Sequence, residues 1–533
     1  MVLVLLVLAA LLAWPVLTLL GAWWMLDAAG WAQWQHLAQT VLPGYVAQTA
    51  WLVLGVGLGT LLVGGGAATL VSLFEFRGRR WLDALLLLPM AMPAYVAAYA
   101  YTDALQFAGP LQSGLRQWFG WQGALWGDVR SLPGAVLLFT LCLYPYVYLL
   151  VRTALAERAA AMLEAAQMLG APLHRRVLQV ALPMARPALA AGLMLVLMET
   201  LADYGVGSYF GLNTLSTGVY KAWLVHDDRW AAAQIASLLL GIALTCLWLE
   251  RRAQARMRFA SGRGGGEGLR QPLNGAAALA AQAACLLPLL AGFVLPVLIL
   301  ARLVWREARY GEFGLPWERF GGWALSSLKL ALAAATLAVA LALLITALQR
   351  LKRQPAWRNA ALRGIGTLVA MGYAMPGAAI AVALLLPLQP LQQRWPVLAP
   401  LFTGTVLALM LAYCVRFTGV ALQSVGAGYA RLPGSLDESA RLLGRSDWGL
   451  WWSVHRPLLT RSAWAAALLV FVDVMKELPA TLLLRPFDSD TLAVVAYQLA
   501  RDERLAEAAL PALAIVAVGL LPLALLWRAM RLR

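Results

Sequence analysis

Long apolar runs, many of them near 20 residues, alternate along this chain with short polar segments rich in arginine. At ~1.5 Å of rise per residue such a run matches the hydrocarbon thickness of a bilayer, so each predicts a membrane-spanning helix. In the first half the predicted spans fall near residues 2–24, 47–74, 82–101, 133–151, 188–210 and 231–249. In the second they fall near 275–300, 326–348, 364–388, 397–418, 463–484 and 505–529. Charge sorts the connections between them. The stretch from residue 25 to Ala50 has no Lys or Arg and reads as outer, as does the Trp- and Gly-rich stretch 102–131. Arg77, Arg79 and Arg80 lie in one inner loop, and Arg152, Arg158, Arg175, Arg176 and Arg186 in the next. Loops in the second half are basic again at Arg350, Lys352, Arg353, Arg358 and Arg363 and at Arg431, Arg441, Arg445 and Arg461. Basic residues collect on the cytoplasmic side. The pattern therefore predicts an all-α polytopic membrane protein of about 12 transmembrane helices in two six-helix halves of parallel topology, with both termini cytoplasmic.

The expected boundaries are a first half at 1–250, a cytoplasmic linker at 251–272, and a second half at 273–533. The linker is polar, basic and Gly-rich. Its Gly262-Arg263-Gly264-Gly265-Gly266 has no Lys after it and no strand before it, so it is a flexible connector and not a phosphate loop. No hydrophilic stretch is long enough for a nucleotide-binding domain, so any ATP and magnesium are bound by another chain.

Composition removes other classes. Of 533 residues 62% are hydrophobic and 13% charged, and the mean hydropathy is +0.72; a soluble domain of this length cannot hide so much apolar surface. The net charge of +16 lies in the loops rather than along one surface, which fits the lipid bilayer as partner and excludes nucleic acid. Cys142, Cys246, Cys285 and Cys414 sit far apart inside apolar runs and imply neither disulfides nor a zinc site. His36, His174, His226 and His455 are dispersed over outer and inner loops and read as ordinary loop histidines.

One pattern occurs twice. Glu164-Ala165-Ala166, then Gly170, then Leu182-Pro183 is matched by Glu438-Ser439-Ala440, Gly444 and Arg456-Pro457 at a constant offset of 274. Both copies lie on Arg-bearing segments between spans, at 155–187 and 424–461. Ala374-Met375-Pro376 likewise repeats Ala91-Met92-Pro93, and Pro93 and Pro376 are expected to kink their spans. Two matched halves of parallel topology imply a pseudo-two-fold axis along the membrane normal with the pathway between them.

The twice-occurring pattern resembles the cytoplasmic loop of inner-membrane permease subunits of binding-protein-dependent ABC importers. The second copy departs from it in Ser439 and in Arg456, which stands where the first has Leu182. The resemblance implies a bacterial inner-membrane protein whose loops are coupling helices, docked on a cytoplasmic ABC ATPase in two copies and fed by a periplasmic substrate-binding protein. Coupling would run through Glu164, Ala165, Ala166, Gly170 and Pro183, and through Glu438, Ser439, Ala440, Gly444 and Pro457.

Within the spans that follow, the offset of 274 places Glu199 on Asp473 and Asp203 on Glu477. Each pair is spaced i, i+4, which on a helix puts both carboxylates on one face. Ionisable groups at membrane depth cost about 2.5–3.5 kcal/mol each and normally face a bundle interior or a wet cavity. Two roles fit them: lining a path that attracts cations, or bonding to neighbouring helices. Lys476 is placed to neutralise Asp473 or Glu477. The segments from Glu199 to Gly218 and from Met475 to Ala493 resemble the fused permeases of ferric iron importers, with thiamine and polyamine permeases sharing the loop architecture. Ferric iron suits hard oxygen donors, which Glu199, Asp203, Tyr204, Asp473 and Glu477 would supply transiently; no stable metal site is expected, because a tight site retains its cargo. A secondary carrier driven by an ion gradient is the competing class, and it has no use for docking loops. No Ser-His-Asp, Cys-His or paired-His spacing in the spans suggests an enzyme.

Overall fold

The computed structural model describes residues 14–24, 28–155, 160–258, 270–311, 314–350, 356–388, 394–395, 405–487 and 489–531. Among these the chain is helical apart from loops and one pair of two-residue strands. Nine helices are long and apolar enough to cross a membrane, or up to eleven if each of two bent pairs counts as one span. The first predicted span starts outside the described residues, as does the beginning of the one at 397–418.

The bent pairs are the third and ninth predicted spans. Arg79–Ala91 and Ala94–Phe119 meet at 91°, and Gly364–Gly372 and Gly377–Leu385 at 111°. Pro93 and Pro376 are both extended N-caps, with ψ of 137° and 139°. A proline forbids the α conformation to the residue before it, and Met92 accordingly has ψ 108°. The expected kink is therefore a full break. The fifth and eleventh spans start earlier than their hydropathy suggests, at Leu173 and Asp447, because the polar second part of each inner loop is already helical.

Two compact units emerge, and neither is contiguous in sequence: one joins 38–217, 241–315 and 496–533, the other 1–37, 218–240 and 316–495. In the first, the helices at Leu42–Leu73, Leu132–Ala154 and Leu182–Ala202 pack through small residues. A Cβ on Gly64 would lie 2.5 Å from the Tyr144 carbonyl oxygen, and one on Gly192 2.8 Å from the Val147 Cα. Backbones approach this closely in membranes where no hydrophobic effect drives helices together. Asp83 adds a polar tie, accepting from Arg152 Nη2 at 2.6 Å and from the Tyr148 hydroxyl at 2.6 Å. Phe74–Glu75 pairs in parallel with Gln271–Pro272, so the stretch just before Gly275–Leu289 is fastened to the one that follows Leu42–Leu73.

The second unit is centred on Trp317–Arg350, Val406–Ala430 and Arg456–Met475, each packed on the other two. Ala331, Ala334, Ala335, Ala338 and Ala342 form a buried small-residue stripe along the first of these helices, spaced to keep one face. On Val406–Ala430, Ala408, Ala412 and Gly419 do the same.

Gly64→Val is expected to destabilise the protein by about 1–3 kcal/mol, the usual cost of overpacking, read as a lower midpoint of thermal unfolding in detergent. Gly241, with nothing within 4 Å of an added Cβ, is the control, and Gly241→Val should leave the midpoint unchanged.

Candidate functional site

Each of the two matched loops contains a short helix, Ala160–Met168 and Gly434–Leu442. Alanine and long unbranched side chains favour both. Gly170 and Gly444 follow, with φ of 75° and 77°, a conformation that costs L-residues ~1–2 kcal/mol. The ends are closed by the same bonds: Gly170 N–H to Gln167 O and Ala171 N–H to Ala166 O in the first, Gly444 N–H to Arg441 O and Arg445 N–H to Ala440 O in the second. These satisfy carbonyls that the helix end leaves open. Just before each glycine a pair of large apolar side chains is exposed, Met168 and Leu169 in one and Leu442 and Leu443 in the other, at 82% to 90%. A six- or five-residue π-helical stretch follows in each, Arg176–Ala181 and Trp451–His455, and Pro183 and Pro457 sit in the first turn of the helix beyond.

Ala165 is exposed and Ala166 half-buried, while the Glu164 side chain lies outside the described residues. Glu438 and Ser439 are exposed and Ala440 is buried. The helices are anchored differently. In the first, Arg176 Nη1 donates to Gln167 Oε1 at 2.7 Å. In the second, Asp437 is only 1% exposed and accepts from Arg350 Nε at 2.8 Å and His455 Nε2 at 3.1 Å. Arg350 also donates to the carbonyls of Tyr429 and Leu432, at 3.1 and 2.9 Å. The Tyr429 hydroxyl lies 3.3 Å from His455 Nδ1. This network locks the short helix to the ends of two spans. Burial pushes the Asp437 carboxyl up, but the hydrogen bonds and charges of Arg350 and His455 outweigh it and hold its pKa below the usual carboxylate value. His455 is thus buried in an ion-pair network, not an ordinary loop histidine.

The carboxylates further along do not share helical faces. Leu182–Ala202 ends just before Asp203, whose ψ is 132°, and Arg456–Met475 ends just before Lys476. Glu199 and Asp473 therefore belong to the helices, and Asp203 and Glu477 to the breaks that follow. Asp203 accepts from the Val206 N–H at 2.8 Å. Glu477, buried, accepts from the N–H groups of Ala480 and Thr481 at 2.9 and 3.0 Å and from the Thr481 hydroxyl. In each case the carboxylate meets the start of the next short helix, where free N–H groups need an acceptor. Lys476 pairs with Asp473 at 2.9 Å.

Other partners escaped the sequence reading. Arg416 Nη1 lies 3.6 Å from Glu477 Oε1, and the Tyr413 hydroxyl bonds Thr481 Oγ1 at 2.7 Å. Arg416 was hidden by its place at the edge of a predicted span; in Val406–Ala430 it stands in the middle turns. In the other unit, Tyr204 joins a cluster with Ser208 and Tyr497: Ser208 Oγ is 3.2 Å from the Tyr204 hydroxyl and 2.7 Å from that of Tyr497. The three hydroxyls form a small array of neutral oxygen donors. Among the described residues no group of three His, Cys, Asp or Glu could hold a metal ion.

Residues 55–259 match the family model of binding-protein-dependent transport system inner membrane components. The chain is 22% identical over 496 residues to the Fe(3+)-transport system permease protein FbpB 2 of Haemophilus influenzae, covering 90% of this chain and 89% of that protein. It is 29% identical over 259 residues to a putative 2-aminoethylphosphonate transport system permease protein, PhnU, of Salmonella paratyphi A, covering 47% and 89%. Against the molybdenum transport system permease protein ModB of Escherichia coli it is 26% identical over 191 residues, covering 34% and 81%.

Asp437→Asn strips the partner from Arg350 and is expected to cost about 3 kcal/mol, seen as faster hydrogen exchange of the Gly434–Leu442 amides, whereas Glu438→Gln, on an exposed neighbour, should change little. Because the Asp437 pKa is lowered in the folded state, its contribution is complete above the ordinary carboxylate value of ~3.9 and is lost as pH falls through the lowered one. Exchange protection of this helix in the wild type should therefore hold above about pH 4 and weaken below it, and in Asp437→Asn that pH dependence should vanish.

Proposed function

We propose that this chain, an inner-membrane permease of the binding-protein-dependent transport family, carries ferric iron inward by alternating access, driven by an ATPase on separate subunits. The observation that carries the reading is the pair of short helices at Ala160–Met168 and Gly434–Leu442. Each ends on a glycine at positive φ and displays an exposed apolar pair. Exposed leucines on a polar loop are a docking surface, and two equivalent ones fit two ATPase copies in the cytoplasm. MgATP belongs to those subunits, and this chain contributes no catalytic residue.

Support for iron comes from the ferric relative, whose match runs along 90% of the chain, and from the oxygen donors at hand. Glu199, Asp203 and the Tyr204, Ser208 and Tyr497 hydroxyls offer hard ligands in one unit; Asp473 and Glu477 offer them in the other. Lys476 and Arg416 moderate the second set. Such donors, each already bonded within the protein, suit brief contact with a passing ion rather than a resident metal. The iron arrives on a periplasmic binding protein and leaves on the side of the coupling loops, where both termini lie.

A phosphonate or oxyanion cargo is the second reading, favoured by Arg416: its Nε and Nη1 are buried without a hydrogen-bond partner among the described residues. Thiamine and polyamine cargoes, and an ion-gradient carrier, are the further alternatives.

ATP hydrolysis by the chain reconstituted in proteoliposomes with its ATPase separates these. Stimulation by a ferric-loaded binding protein, and not by one loaded with molybdate, 2-aminoethylphosphonate, thiamine or a polyamine, is the expected result; uptake that follows a proton gradient without ATP would overturn the importer. Gly170→Val with Gly444→Val should abolish uptake while leaving membrane insertion intact, and normal uptake by that variant would remove the coupling role of both loops.

A further inference from the structure

The unit containing residues 316–495 carries an open groove of about 390 Å³ between the Trp317–Arg350 and Arg456–Met475 helices. Val339 and Leu343 line one wall, Leu459 and Ala463 the other, and both helices are candidate membrane spans. The lining is mostly apolar, and the hydroxyls of Thr336 and Thr460 within it are bonded to carbonyls of their own helices. Trp451 and Arg456 line one end, next to the second coupling loop, and Ala467 lies at the opposite end. From Arg456 to Ala467 the helix advances ~16 Å, about half of a ~30 Å hydrocarbon core and so one leaflet deep.

The polar end has the makings of an interfacial headgroup site. Arg456 pairs with no carboxylate among the described residues, and its guanidinium lies 4.5 Å from the centroid of the Trp452 ring. Trp448, Trp451 and Trp452 pack on one another, with ring centroids 5.1–5.8 Å apart, while the exposed Trp464 lies farther along the groove, towards Ala467. Tryptophan settles at headgroup level, and an arginine beside it has its stem in the apolar zone and its charge at the surface. The first coupling loop has none of this: at the offset of 274, His174, Val177, Leu178, Leu182 and Ala190 stand in place of Trp448, Trp451, Trp452, Arg456 and Trp464. A generic interface anchor would be expected on both loops.

We infer that this groove binds one anionic phospholipid of the coupling-loop leaflet, an acyl chain lying along Leu343, Leu459 and Ala463 and the phosphate paired with Arg456. The charge complementarity selects an anionic headgroup, and the length of the apolar floor selects a lipid over a free phosphate. Bound there, the lipid braces the start of Arg456–Met475, the helix that links the second coupling loop to Asp473. The inference is independent of which cargo the permease carries.

Native mass spectrometry of the full chain in detergent, after incubation with equal phosphatidylglycerol and phosphatidylcholine, tests it. Phosphatidylglycerol should be retained preferentially. One basic residue near a membrane surface is worth ~1 kcal/mol, so Arg456→Leu, the residue that the first copy has, should reduce that retention about fivefold. Ala463→Phe, which fills the groove and spares the arginine, should reduce it as well. Equal retention of the two lipids, or wild-type retention by Arg456→Leu, would overturn the inference. So would displacement of phosphatidylglycerol by inorganic phosphate combined with wild-type retention by Ala463→Phe, which would mean a phosphate site with no acyl groove.

Discussion

A backbone N–H released inside a bilayer has no water to bond, and this requirement governs the middle of both units. Each unit interrupts helices at membrane depth, at Pro93 and after Ala202 in one, at Pro376 and after Met475 in the other. Irregular backbone of this kind persists only where it is buried in protein or lines a cavity. Asp203 and Glu477 meet the requirement by accepting from the amides that open the next short helices. Glu477 goes further, since its own burial is offset by Arg416 and by two N–H donors, and Gly377 leaves the room: a Cβ there would sit 2.7 Å from both Arg416 Nη1 and Glu477 Oε1. The carboxylates therefore hold the breaks open, and whatever passes near them meets a structure that is already satisfied.

That arrangement explains what the sequence did and did not disclose. The apolar runs and the basic loops foretold a polytopic helical protein, because length and charge sorting are direct consequences of bilayer thickness and membrane potential. Gly170 and Gly444 were legible too, since glycine before a new helix is the commonest way to end one. The i, i+4 spacing of Glu199 and Asp203 misled, as it assumes a helix that continues, whereas a carboxylate two residues before a new helix start is equally a cap signal. Pro479, two residues after Glu477 in the first turn of such a helix, was the available clue.

Long-range partners left a weaker trace. Nothing near Asp437 in sequence announces Arg350, which is 87 residues away, and His455 reads as a loop residue because it lies on a polar stretch between two apolar runs. In the structure that stretch is a continuous α- and π-helical run into the span, so His455 turns inward to the carboxylate. Burying an aspartate beside a positive loop requires both its donors; with either missing, the site would cost more than it contributes.

The two matched loops share their backbone and differ in the side chains that anchor them. Cap bonds, positive-φ glycine, π-helical stretch and first-turn proline are common to both. The Arg350–Asp437–His455 anchor and the Arg456–tryptophan cluster belong to the second alone, where the first has Leu163, Ala181 and Leu182. The exposed apolar pair before each glycine is also kept in both copies, as Met168 and Leu169 in one and Leu442 and Leu443 in the other. The side chains that differ fasten the short helices to the rest of the protein: Arg350 and His455 hold Asp437 in the second, whereas Arg176 holds Gln167 in the first, so the same backbone is tied down by different contacts.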